Sequence, residues 1–432
     1  MTAVQILAVV VFAATYVLIA TEWVHRVAAA LGGASVMLVL GFTDGPTAYH
    51  SEAAGIDWNV IFLLLGMMVI VGVIKQTGLF EFLAIFAVKR ARGRPFLVLA
   101  IFVVITAVAS ALLDNVTTVL LIAPVTFLVC DRLALNPVPY LIAEVLASNI
   151  GGTATLIGDP PNIIIGSKAG LSFNDFLVNL GPFILVLLVV FVAVCRWMFR
   201  DAFHSDPDRV AEVMALSERE AIENRKLLAQ SLGVLVLVLA GFTLHTVLHA
   251  QPSVVALLGA GLLVLVSRIT TPQALADVEW ETLVFFMGLF VMVGALVKTG
   301  VIDVVARALA TATGGHLLVA AMALLILSAV MSGIVDNIPF VATMTPVVAG
   351  LVADEHGSPG AHALWWALAL GADLGGNATA VGASANVVAL GLAKRNGTEI
   401  TFWQFTRYGA VIAAISVVLA APYLWLRYFA LA

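Results

Sequence analysis

The sequence predicts an all-helical polytopic membrane protein of two inverted repeats, with about ten transmembrane helices, two re-entrant hairpins and two broken helices. Three observations predict it. Of 432 residues, 62% are hydrophobic and only 11% charged, against about 25% charged in a soluble domain. Apolar stretches of the roughly 20 residues that cross a bilayer recur along nearly the whole chain. The second half also repeats the first: WNVIFLLLGMMVIVGVIKQTG from Trp58 overlies WETLVFFMGLFVMVGALVKTG from Trp280 without a gap, an offset of 222. The same offset carries Asp114-Asn115 onto Asp336-Asn337. With two residues of slippage, Gly151-Gly152-Thr153-Ala154-Thr155 falls on Gly375-Gly376-Asn377-Ala378-Thr379. Self-similarity held in register over such a length is the mark of a structural repeat.

The first repeat, residues 1–198, holds crossings near 3–20, 24–42, 58–76, 137–167 and 176–198. The start has neither a basic n-region nor a small-residue cleavage site, so it reads as the first transmembrane helix, not a signal peptide. Residues 95–131 are apolar, too long for one helix, and carry LLDNVTT near their centre, so they read as a hairpin dipping into the membrane. Such a tip needs a bundle or a watery cavity around it to satisfy its backbone. The crossing 137–167 contains GG and DPP. Glycine pairs weaken a helix and proline blocks it, so the span breaks into two half-helices. Residues 199–226 are the one strongly polar stretch and read as a solvated connector. The second repeat, 227–432, follows the same plan: crossings near 228–246, 251–267, 281–298, 363–392 (broken) and 405–428, with a hairpin over 317–352.

Five crossings per repeat, an odd number, turn the second repeat upside down, so the hairpins enter from opposite faces. With both termini outside an inner membrane, the basic residues gather inside, as cytoplasmic loops require. Arg26, Lys75, Lys89, Arg90, Arg92 and Arg94 count among them as loop residues, and only Lys168, Lys298, Arg307 and Arg427 fall outside.

Composition also excludes. The net charge of -5 comes without a basic stripe, so nucleic acid is no partner. Cys130 and Cys195 lie far apart in apolar runs and make neither a disulfide framework nor a metal site. No Walker A, kinase or HExxH pattern occurs, so the chain is read as a transporter that draws on a proton or sodium gradient and needs no cofactor, not as an enzyme.

The chemistry gathers at the hairpins and breaks. Asp114, Asn115, Thr117 and Thr118 interrupt one hairpin, Asp336 and Asn337 the other. An ionised carboxylate at that depth costs roughly 2.5–3.5 kcal/mol on translocon scales. The bland alternative is a cap, because Asp and Asn bind exposed backbone N–H groups. Two symmetric Asp-Asn pairs favour function, with Asp114 and Asp336 as proton- or sodium-coupling groups. At the breaks, Asn149, Gly151, Thr153, Thr155, Asp159 and Asn162 in one half, and Asp373, Asn377, Thr379, Ser384 and Asn386 in the other, supply donors and freed carbonyls for a cation or polar solute. Glu144 fits a proton path or a place near the interface. His245, His249 and His316 read as interfacial histidines.

LDNVTT, NIGGTATLIGDPPN, VDNIPF and GGNATAVGASANVV together resemble the ion transporter superfamily over essentially the whole chain. The similarity is greatest to the branch of arsenite permeases, sodium/proton antiporters of that fold and the melanosomal P protein. The resemblance implies a scaffold and a transport part, a midplane site and a homodimer. Dicarboxylate carriers of the superfamily carry Ser-Asn-Thr at the tips, where this chain has Asp114-Asn115-Val116 and Asp336-Asn337-Ile338. On the resemblance, the expected function is proton-coupled efflux of As(III) or Sb(III) as the neutral trihydroxide. Sodium/proton antiport is the alternative, and an anion or dicarboxylate transporter a more distant one. Two remote cysteines cannot build a thiolate site, so recognition falls to Asn, Thr and backbone groups. The partners are therefore the bilayer, the solute or sodium, protons and, from the resemblance, a second copy of the chain. An ATPase subunit is a further partner considered for such a chain.

Overall fold

Helices form where the apolar stretches fall, and most ends have a local cause. The computed structural model describes residues 1–21, 23–203, 209–210, 218–354 and 360–431; much of the connector 199–226 lies outside them. The first half contributes α1 (Ala3–Thr21), α2 (Arg26–Val39), α3 (Gly45–His50), α4 (Trp58–Lys75), α5 (Leu79–Ala91), α6 (Pro95–Leu112), α7 (Asn115–Arg132), α8 (Pro137–Gly152), α9 (Pro160–Ala169), α10 (Phe173–Asn179) and α11 (Gly181–Met198). The second contributes α12 (Arg225–Leu248), α13 (Pro252–Ser267), α14 (Thr271–Leu275), α15 (Trp280–Lys298), α16 (Val301–Ala312), α17 (Leu317–Ile334), α18 (Asn337–Asp354), α19 (His362–Gly375), α20 (Ser384–Arg395) and α21 (Phe402–Trp425). Among the described residues there is no strand, and nine helices are long and apolar enough to cross a membrane.

Prolines open α6, α8, α9 and α13, where the missing N–H would have had no partner. Asp57 caps α4 by accepting from the N–H groups of Asn59 and Val60. The hairpins are α6–α7 and α17–α18, and the broken helices are α8/α9 and α19/α20, as the sequence indicates. One expectation needs correction. The stretches after α4 and α15, read as loops, form the short helices α5 and α16. Each begins behind a glycine in the left-handed region, Gly78 at φ +77° and Gly300 at φ +74°, a conformation that costs glycine little. At 13 and 12 residues they reach only about 20 Å, too short to span, and each buries one face.

The two halves interleave. α4 of the first packs on α13 of the second, and α15 of the second packs on α2 of the first. Glycine permits both crossings: a Cβ on Gly66 would lie 2.7 Å from the Ala256 carbonyl carbon, and one on Gly288 would lie 2.9 Å from that of Ala30. In lipid such close backbone approach, not hydrophobicity, holds helices together. Beside this scaffold, α6 packs on α8 and α17 on α19. Each pair is pinned by a serine that donates to a carbonyl, Ser110 to Ser148 at 2.6 Å and Ser332 to Ala372 at 2.5 Å.

Candidate functional site

The site is assembled from the two hairpin tips and the two helix breaks. At the first tip Asp114 is extended and accepts the Thr117 backbone N–H at 2.8 Å, so it caps α7. At the second, Asp336 accepts the Ile338 N–H at 3.0 Å and the Ser384 hydroxyl at 2.5 Å. The cap reading and the functional reading therefore coexist: at Asp336 one carboxylate oxygen serves the backbone and the other accepts from Ser384 of the second break.

Asp159 stands between the tips. It precedes Pro160-Pro161, and because neither proline offers an N–H, its side chain is not consumed in capping α9. It accepts instead from Asn115 Nδ2 of one hairpin at 2.9 Å and from Asn337 Nδ2 of the other at 3.4 Å. Asn115 Nδ2 also donates to Asn149 Oδ1 at 3.0 Å, and Asn149 Nδ2 crosses to the second half, to Asn377 Oδ1 at 2.9 Å and Asn386 Oδ1 at 3.0 Å. All of these side chains are buried. One connected amide and carboxylate network thus joins both hairpins and both breaks.

The freed carbonyls at the ends of α8 and α19 are closed by equivalent asparagines. Asn162 Nδ2 lies within 3.0–3.4 Å of the carbonyls of Gly152, Thr153 and Thr155. Asn386 Nδ2 donates to those of Gly376 and Thr379 at 2.8 Å. The hydroxyls of Thr155 and Thr379 tie each break to its hairpin, through Ala111 O and Gly333 O at 2.6 and 2.7 Å. Thr153 donates to Asn149 O at 2.7 Å, and Gly151 is a packing residue against Ala107. Five buried oxygens keep no hydrogen-bond partner: Asn115 Oδ1, Thr118 Oγ1, Asn162 Oδ1 and both carboxylate oxygens of Asp373.

Asp114, Asp336 and Asp373 all lie close enough to Asp159 to act on its charge. The cation that meets this cluster is Arg26, at the start of α2. Its Nη1 donates to Ser384 Oγ at 3.1 Å, and Ser384 passes the link on to Asp336. Arg26 also rests over the Phe285 ring at 5.8 Å, and with His25 it borders a cavity of about 310 Å³ that reaches Asp336. Sequence reasoning missed Arg26, because nothing marks a half-buried basic residue after a loop as part of the site. It also missed Ser110 and Ser332, which the offset of 222 pairs and could have flagged. Glu144 is buried apart from this network, its Oε1 accepting from Thr126 on the hairpin at 2.6 Å. A cavity of about 350 Å³ beside His245 and His249, and an apolar one of about 510 Å³ along α6 and α11, contain no hairpin-tip carboxylate.

The model of the citrate transporter family, CitMHS, matches residues 16–371. The chain is 58% identical over 427 residues to an uncharacterized transporter of Mycobacterium tuberculosis, covering 99% of both. It is 55% identical over 424 residues to a 46 kDa membrane protein of Mycobacterium leprae, covering 98% of this chain and 99% of that one. Against the human P protein it is 33% identical over 499 residues, 97% of this chain but 59% of the longer one. The solved structure of the YdaH transporter of Alcanivorax borkumensis aligns with a TM-score of 0.63 over 94% of this chain and 98% of that one, at 14% identity, a likeness of fold.

Proposed function

The chain belongs to the citrate transporter family, and from that premise we propose that it is a secondary active transporter exchanging a small polar solute for protons at a midplane site. The observation that carries this is charge. Asp114, Asp159 and Asp373 are buried, Asp336 borders a cavity beside them, Asp114, Asp336 and Asp373 all act on the charge of Asp159, and Arg26 reaches the cluster through Ser384 and Asp336. Like charges crowded together out of water cannot all stay ionised, and buried ionisable groups at this depth mark ion pathways. Protons or cations therefore belong to the working cycle. The opposed hairpins give each face of the membrane its own route to the cluster, and the termini are assigned to the outer face of an inner membrane.

The donor set is amide, hydroxyl and carboxylate. It suits a neutral trihydroxide such as As(III) or Sb(III), moved outward against protons, and it suits sodium in an antiporter. The Arg26 cavity, with the description of the family, favours a second reading in which a carboxylate anion such as citrate is the solute. The test is flux in proteoliposomes under an imposed pH gradient, with As(III), sodium and citrate offered separately to the wild type and to Asp159→Asn, Asp114→Asn and Asp336→Asn. Gradient-driven movement of one solute, abolished in Asp159→Asn, supports proton-coupled transport and names the solute. Equal flux in wild type and Asp159→Asn refutes it.

A further inference from the structure

The pseudo-symmetry of the site fails at one pair of positions, where a carboxylate takes the place of a donating amide. The offset of 224 that relates the breaks pairs Asn149 with Asp373, Thr153 with Asn377 and Asn162 with Asn386. In one half, Asn149 Nδ2 donates to the side-chain oxygens of Asn377 and Asn386. In the other, Asp373 is set against the corresponding partners, the Thr153 hydroxyl and the Asn162 side chain, but a carboxylate has no N–H to donate. The Thr153 hydroxyl proton is committed to Asn149 O. The orientation of the Asn162 amide is fixed because Nδ2 faces three backbone carbonyls, which only accept. Its Oδ1 is thus turned away from any donor, and Asn162 Oδ1 and both Asp373 oxygens are buried without a partner. Unmatched buried acceptors of this kind are rare in folded proteins.

We propose that Asp373 is a proton-binding site of the transporter: both its carboxylate oxygens are buried without a partner at the position where the other half carries the donating amide of Asn149, and a bound proton supplies the donor that the carboxylate lacks. The proton restores a donor at this position when bound and leaves the buried carboxylate without one when released. This ties the state of Asp373 to the carbonyls that Asn162 holds at the end of α8. The charged residues within or capping the elements packed against α19 are Glu144 on α8, Asp159 and Lys168 on α9, Asp336 and Asp354 on α18 and Arg407 on α21. Of these, Asp159 is the one whose charge meets Asp373, so releasing the Asp373 proton sets two carboxylates against each other. The proposal rests on reading the breaks as the transport site, and it names the coupling group within it.

The test uses the full chain in lipid nanodiscs, with no solute needed. Infrared difference spectra across a pH step record the carbonyl stretch of a protonated carboxylic acid for the wild type, Asp373→Asn, Asp373→Ala and Asp159→Asn. The expected result is loss of one acid band in both Asp373 variants and its retention in Asp159→Asn. Asp373→Asn should also melt at or above the wild-type temperature, because its amide supplies the missing donor, whereas Asp373→Ala should melt lower. An acid band unchanged in Asp373→Asn overturns the proposal, as does an Asp373→Asn protein no more stable than Asp373→Ala. In proteoliposomes the proton to solute ratio of Asp373→Asn should fall by one. A wild type that moves no solute yet shows the Asp373 band would refute the transport reading and leave the proton site standing.

Discussion

Alanine at Gly151 tests the site through its packing. Gly151 sits near the end of α8 where it crosses α6, and a Cβ there would lie 2.1 Å from the Ala107 carbonyl oxygen and 2.5 Å from its Cα. Since Cβ contacts essentially never fall under 3.0 Å, the α6 backbone must retreat by about 0.9 Å, and a helix carbonyl cannot yield alone. Overpacking of this kind costs about 1–3 kcal/mol, and α6 leads directly into the tip that carries Asp114 and Asn115. A misplacement of about 1 Å among groups that must align can cost on the order of a hundredfold in rate, so flux should fall at least roughly tenfold. The equivalent Gly375→Ala, with Ala329 Cα at 2.4 Å, should behave alike, whereas Gly261→Ala, with nothing within 4 Å, should keep wild-type flux and melting. Melting of the detergent-solubilised protein and proteoliposome flux measure the three together. Wild-type melting and flux in Gly151→Ala would refute the argument, since α6 and α8 could not then approach so closely.

Three further outcomes are expected. Arg26→Gln removes the cation linked through Ser384 to Asp336; it should shift the pH at which flux is half-maximal, while Arg26→Lys keeps the charge and shifts it less, and identical pH profiles would dismiss the link. Thr126→Val strips the hydroxyl from buried Glu144 and should destabilise by about 1–3 kcal/mol, the cost of a lost bond to a buried acceptor, an effect that Glu144→Leu combined with Thr126→Val should largely remove in a double-mutant cycle of melting. In the loop before α3, the hydrogen bond from Lys298, with the Thr47 N–H, holds the Asp44 carboxyl at about 2. A lowered value stabilises the fold above the ordinary carboxylate range and loses that contribution as pH falls toward 2. Lys298→Gln should therefore lower the melting temperature slightly at pH 7 and flatten its fall in acid, the effect being small because the pair is exposed.

The hairpins and breaks were legible in the sequence because each carries residues that lipid does not tolerate without a reason. Asp114-Asn115 and Asp336-Asn337 mark the tips, and GG and DPP mark the broken span, with boundaries close to those of α6–α9. The structure adds a shared proline inside the second arm of each hairpin, Pro124 and Pro346, which the offset of 222 also relates. The helices α5 and α16 were not legible because they are too short for a hydropathy window and end in loop-like glycines. Within the site, sequence named the asparagines but not their roles. That Asp159 takes both hairpin amides fits Pro160-Pro161 offering no N–H and Asn162 giving its N–H to the Asp159 backbone carbonyl, which leaves the carboxylate free for both tips. The place of Arg26 at the site depends on a contact 358 residues away in the chain, which no local pattern records.

The exchange of helices across the scaffold bears on how such a molecule is made. Because α4 rests on α13 and α15 rests on α2, neither repeat closes its own interior, and a ribosome that has delivered only the first repeat has delivered half of two interfaces. Maturation must then wait for synthesis of the second repeat, and early-inserted helices stand in lipid with Gly66 and Ala30 still facing acyl chains. The same geometry is that of two separate copies inserted in opposite orientations and clasped together, later joined by a tether. On that view the unequal partners Asn149 and Asp373 mark where the two halves are not interchangeable.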